Sequence, residues 1–135
     1  MDGGGSTNQE TKADISLRED NNMGAHEENV LKVGKYRDAN HAYAEAVREA
    51  TEYYGSQPYN GTISTSDGFV MRTNHPRYGT KKFWKYYSDK ISGTKFAKWN
   101  CVEIKGAILK RIKKEYGYKG KRNIKAFYFW GLAAS

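Results

Sequence analysis

The chain reads as one α+β domain behind an acidic tail: an antiparallel sheet of about four strands, a hairpin plus two later strands, packed with two to three helices. Three observations carry this reading. Apolar residues recur at helical spacing in some segments and in alternating or unbroken runs in others, in the order helix, hairpin, helix, strand, helix, strand. Residues 1–35 are dominated by Gly, Ser, Thr, Asn, Asp and Glu. Hydrophobic residues make up only 38% of the chain, but aromatics make up 14%, so the core must be built from rings. Each such ring hides roughly 150–250 Å².

The division expected is a disordered acidic tail over residues 1–35 and a single α+β domain over residues 36–135. In the tail Ile15, Leu17, Val30, Leu31 and Val33 are too sparse to offset the entropy of ordering the chain. A short helix over Glu28–Val33 is the alternative there, and Met23 is a candidate internal start.

The first helix is predicted from Asp38 to Tyr54. Asp38 is a suitable N-cap. Ala39, Ala42, Tyr43, Ala46, Val47, Ala50, Tyr53 and Tyr54 follow the helical template, Glu45, Arg48, Glu49 and Glu52 fall opposite, and Gly55 stops it. Gly61 to Thr73 reads as a hairpin, because Asp67-Gly68 suits a tight two-residue turn between β-branched and apolar flanks. Thr80 caps a second helix, Lys81–Ile91, with Phe83, Trp84, Tyr87 and Ile91 on one side. Trp99–Ile104 is a short strand. Gly106–Tyr116 is a third helix with Ile108, Leu109, Ile112 and Tyr116 inward, ended by Gly117. Ile124–Ala133 is apolar at both parities after Lys125, the signature of a central strand covered on both sides.

Charge is segregated along the chain. From Arg72 to Ser135 seventeen Lys or Arg face three acids, whereas from Met1 to Met71 six face twelve. The net charge of +8 is therefore concentrated in the second half, as on surfaces made for anionic partners. Lys110, Arg111, Lys113, Lys114, Lys119, Lys121 and Arg122 cluster in the third helix and its following turn, with Tyr116 and Tyr118 interleaved. The second helix adds Lys81, Lys82, Lys85 and Tyr86. Closely spaced cations neutralise phosphates, aromatic faces stack bases, and the excess of lysine over arginine favours backbone contact over base reading. The expected binding set is therefore Lys81, Lys82, Lys85, Tyr86, Lys110, Arg111, Lys113, Lys114, Tyr118, Lys119, Lys121 and Arg122. The competing explanation is an ordinary solvated helix face.

Other chemistry is poorly supported. The lone Cys101 excludes an internal disulfide and a cysteine-cluster zinc site, and it reads as a buried structural thiol. His26, His41 and His75 have no metal-site spacing, although His75 with Arg77 suits a phosphate contact. Ser64-Thr65-Ser66 is similar to the strand motif of arginine-specific ADP-ribosyltransferases. That family pairs it with two glutamates, and Glu103 is the single glutamate in a later strand. Phosphate-binding glycine loops, zinc-protease motifs, nucleophile elbows and paired carboxylates are all missing. No cofactor or metal is expected, and the chain is expected not to be an enzyme.

Three segments, PYNGTISTSDGF at Pro58–Phe69, KWNCVEI at Lys98–Ile104 and FYFWGLAA at Phe127–Ala134, resemble small uncharacterised proteins of bacteriophages and other mobile elements. Asn100 stands where those relatives carry Gly, and Leu132 where they carry Trp. The resemblance implies no catalytic residue. It implies a host-directed or anti-defence accessory role in the host cytoplasm. The expectation is thus a phage-encoded binding protein contacting DNA, RNA or a ribonucleoprotein, and no membrane. The alternatives are an inhibitor that binds a host protein and a phage structural or assembly part.

Overall fold

The computed structural model describes residues 24–91, 93–94 and 96–135. What the sequence suggests of residues 1–23, the acidic tail and the start at Met23, lies outside them. The elements are β1 (Ala25–Gly34), α1 (Ala39–Tyr54), a 3₁₀ turn (Ile63–Thr65), β2 (Phe69–Met71), α2 (Lys81–Asp89), β3 (Trp99–Ile104), α3 (Gly106–Glu115) and β4 (Lys125–Ala134). The fold is α+β: one four-stranded sheet in the order β1-β4-β3-β2, with three helices.

β4 lies between β1 and β3 and runs antiparallel to both. Its alternating side chains serve two cores. Phe127, Phe129 and Ala133 pack beneath Ala42 and Ala46 of α1. Ala126, Tyr128 and Trp130 pack on the opposite side with Phe83 and Tyr87 of α2 and Ile112 of α3. The molecule therefore has three layers: α1, the sheet, then α2 with α3. The unbroken apolar run of β4 is the direct consequence.

Local chemistry sets the helix ends. Asp38 accepts a hydrogen bond from the His41 amide at 2.9 Å, and Thr80 accepts one from the Phe83 amide at 3.2 Å, each satisfying an amide without a helical partner. The C-terminus of α3 closes as a Schellman motif. The Tyr118 amide donates to the Lys113 carbonyl at 2.7 Å and the Gly117 amide to Lys114 at 3.3 Å, with Gly117 at φ +80°.

One contact ties β3 to β4. The Trp99 ring lies against the Gly131 backbone, so a Cβ placed on Gly131 would meet Trp99 ring carbons at 2.5 and 2.6 Å. The indole N–H donates to the Leu132 carbonyl at 3.2 Å.

Three expectations require correction. Residues 25–34 belong neither to a disordered tail nor to a short helix; they form β1, paired with β4 along its whole length from Ala25 opposite Ala134 to Gly34 opposite Lys125. Val30 joins the α1 side while Leu31 and Val33 join the other. Lys32, turned toward α1, donates to Glu49 at 2.5 Å. Burial alone would lower the Lys32 pKa, but this carboxylate and Tyr36 outweigh it and raise the value.

The second correction concerns Gly61–Thr73, which is not a hairpin. Its first limb is the 3₁₀ turn, where hydroxyls satisfy the backbone locally: the Ser64 amide donates to Thr62 Oγ1, Thr65 Oγ1 to the Thr62 carbonyl, and Ser66 Oγ to the Ile63 carbonyl. Ser64-Thr65-Ser66 is therefore not the strand motif of an ADP-ribosyltransferase. Asp67-Gly68 docks on the entry to β3 instead, with the Asp67 amide donating to Ala97 and the Trp99 amide to Gly68.

In the third correction the sheet is mixed rather than purely antiparallel, because β2 pairs with β3 in parallel through the α2 crossover.

Two variants test this packing. Gly131→Ala is expected to lower stability by at least about 2 kcal/mol through overpacking, read as a lower urea midpoint, and partial recovery in Gly131→Ala/Trp99→Phe identifies the ring as the cause. Thr65 Oγ1 accepts the buried Ala134 amide at 3.0 Å. Thr65→Val, which keeps the shape, is expected to cost about 1–3 kcal/mol by leaving that donor unpaired; an unchanged midpoint would show the bond to be dispensable.

Candidate nucleic-acid interface

α2 and α3 share the sheet face opposite α1, so their water-facing sides turn the same way. On α2, Phe83 and Tyr87 point inward, and Lys81, Lys82 and Lys85 are exposed. On α3, Ile112 is buried, Ile108 and Leu109 are half-buried, and Lys110, Arg111 and Lys114 are exposed. None of these six cations makes an ion pair among the described residues.

The opposite layer differs in charge. Glu45 and Glu52 of α1 both pair with Arg48, and Glu49 holds Lys32. The Arg48 guanidinium holds the Glu45 carboxyl below its ordinary range. The segregation of charge along the chain thus becomes segregation across the sheet.

The turn after α3 is built onto the helix. Lys113 Nζ donates to the Lys121 carbonyl at 2.6 Å, and the Lys121 amide to the Tyr118 carbonyl at 2.9 Å. Lys119, Lys121 and Arg122 are exposed on this tethered turn. Lys113 is half-buried and occupied as its tether, which sets it apart from the rest of the expected set.

The aromatic members are placed differently from the sequence reading. Tyr86 is half-buried against His75, Phe83 and Trp130, with Lys90 5.4 Å from its ring centre. Tyr118 is half-buried. Trp84 and Tyr116, assigned inward by helical phase, are instead 43% and 51% exposed. Tyr78 packs beside Trp84: its ring lies 5.9 Å from Trp84 and 4.9 Å from buried Tyr128. Burial raises the Tyr78 hydroxyl pKa, and the nearby Tyr116 hydroxyl raises it further. Trp84 and Tyr78 thus form a ring cluster at the start of α2, and Tyr116 stands exposed at the C-cap of α3. Helical spacing alone could not find this exposure, because both rings fall on the phase that carries inward residues.

His75 and Arg77 lie in the loop before α2, with Arg77 exposed. The His75 ring packs on Phe83 and Tyr86, and its Nδ1–H donates to the Pro76 carbonyl at 2.8 Å. No group of three His, Cys, Asp or Glu suited to a metal occurs among the described residues. No helix among them is long and apolar enough to cross a membrane.

Comparison with protein-family models, curated proteins and solved structures returns no match.

Cys101 is fully buried in the α1-side core, and burial pushes its thiol pKa far up, with Glu103 adding to the shift. It is expected to resist thiol reagents in the folded protein and to react only as fast as the domain opens. Stoichiometric labelling within seconds under native conditions would contradict this burial.

Proposed function

We propose that this chain is a small, basic, non-enzymatic binding protein that contacts nucleic acid or a ribonucleoprotein through the outer sides of α2 and α3. One observation carries the reading: Lys81, Lys82, Lys85, Lys110, Arg111 and Lys114 share a layer and lack carboxylate partners among the described residues, while the acids of α1 on the far side are paired. Lysines present compact, well-hydrated charges suited to phosphates rather than to bidentate reading of bases, so affinity is electrostatic with weak sequence preference. Lys119, Lys121 and Arg122 extend the same surface along the tethered turn. The resemblance to phage and mobile-element proteins supports a host-directed role in the cytoplasm of an infected cell.

A second reading, an inhibitor seated on a host defence protein, is favoured by the exposed Trp84, a residue type enriched at the centres of protein interfaces. Recovery of the tagged protein from its host separates the two. Loss of partners on nuclease treatment supports the first, and one stoichiometric, nuclease-resistant protein supports the second.

The direct test is charge reversal at Lys110, Arg111 and Lys114, sparing Lys113 because it holds the turn. The triple glutamate variant is expected to bind oligonucleotides far more weakly. Its log–log salt slope should be shallower by about 0.9 for each duplex phosphate that the variant no longer neutralises. Binding that persists with an unchanged slope overturns the proposal.

A further inference from the structure

We infer that the nucleic acid bound on this face is single-stranded, with bases stacking on Trp84 and Tyr116 while the lysines of α2 and α3 hold the phosphates. This rests on the reading above and deepens it. A duplex turns its base faces inward and offers an approaching protein only phosphates and groove edges; a single strand offers the faces themselves. The basic patch alone does not distinguish the two, but the rings exposed within it do.

The use the fold makes of its tryptophans is informative. Trp99 and Trp130 are 0% exposed. Trp130 uses its stacking capacity internally, lying nearly parallel to Tyr87 at 14° and to Tyr128 at 29°. Trp84 does not: Tyr78, Phe83, Tyr87 and Tyr128 meet it at 61°, 81°, 65° and 80°, so none of these rings stacks flat on the indole. Tyr116 makes no ring contact among the described residues. Trp84 is held by its edge contacts, and the Tyr116 backbone is fixed at the C-cap of α3. A stacking surface is thus held in place without an internal partner.

Cations stand where the phosphates of a stacked strand would run. Lys81 lies one turn before Trp84 on α2, and Lys113, the tether of the following turn, lies one turn before Tyr116 on α3. The sugar is not specified by this chemistry, so DNA and RNA are tested as separate arms.

Because Trp84 is the only one of the three tryptophans that meets water, native indole emission that responds to a bound base reports on this site. The full chain is titrated with single-stranded DNA, single-stranded RNA and a duplex of the same sequence at matched salt. Either single strand is expected to quench the emission and to bind at least tenfold more tightly than the duplex. Trp84→Ala is expected to abolish the quench and to weaken single-strand binding by about 5- to 150-fold, the range for removal of one base stack. Trp84→Phe should retain part of the affinity, which excludes a merely structural effect. Duplex binding equal to single-strand binding with no quench overturns this inference and leaves the basic-face reading standing. Failure to bind any of the three overturns both.

Discussion

The Trp99 indole lies flat against the one residue of β4 that has no side chain, and the architecture follows from that fit. Gly131 gives the ring room where a methyl group would collide with it, and the indole N–H is satisfied by the adjacent Leu132 carbonyl. The fit locks β3 to the strand that carries both cores. It also places Trp99 in the α1-side core beside Phe127, Phe129 and two small helix residues, Ala42 and Ala46, whose size lets α1 settle onto the rings. On the reverse side of β4, Trp130 donates to the Tyr87 carbonyl at 3.0 Å, and Tyr87 in turn reaches Asn29 of β1. A chain short of aliphatic residues thus builds its interior from rings whose polar edges are hydrogen-bonded, as buried indoles require.

The segments KWNCVEI and FYFWGLAA are the two that meet at this contact. The pairing of a tryptophan in one with a glycine in the other has a steric cause that needs no shared activity. Such a scaffold says little about which surface works, so function must be argued from the helices that cover the sheet.

What was legible in the sequence was local. Asp38 and Gly55 bound α1 as their chemistry predicts, Thr80 caps α2, and the two-sided apolarity of β4 announces a central strand. What was not legible depends on partners far along the chain. β1 carries His26, Glu27, Glu28 and Asn29 in its first half and has too few apolar residues to declare itself; its order comes from pairing with β4, about a hundred residues away by the register itself. The Asp67-Gly68 turn signal was real in conformation, since Gly68 has φ +81°, but the flanking hydroxyl residues close their own turn instead of pairing across it. The same distinction holds at the site. The basic character of α2 and α3 could be read directly, whereas the exposure of Trp84 and Tyr116 depends on tertiary packing that helical phase does not report.

Lysines spaced at one helical turn, such as Lys81 with Lys85 and Lys110 with Lys114, repel each other by a few tenths of a kcal/mol per pair. At physiological ionic strength screening acts over about 8 Å, so neighbours within a helix are not fully shielded. On α1 the comparable acids are relieved, because Arg48 sits between Glu45 and Glu52 and Lys32 reaches Glu49 from the sheet. The described part of the molecule therefore pairs the acids of α1, whereas on α2 and α3 the lysines outnumber Asp89 and Glu115 and stay unpaired. On the proposed reading a polyanion laid across α2 and α3 would relieve this repulsion, which gives the unpaired lysines a physical use.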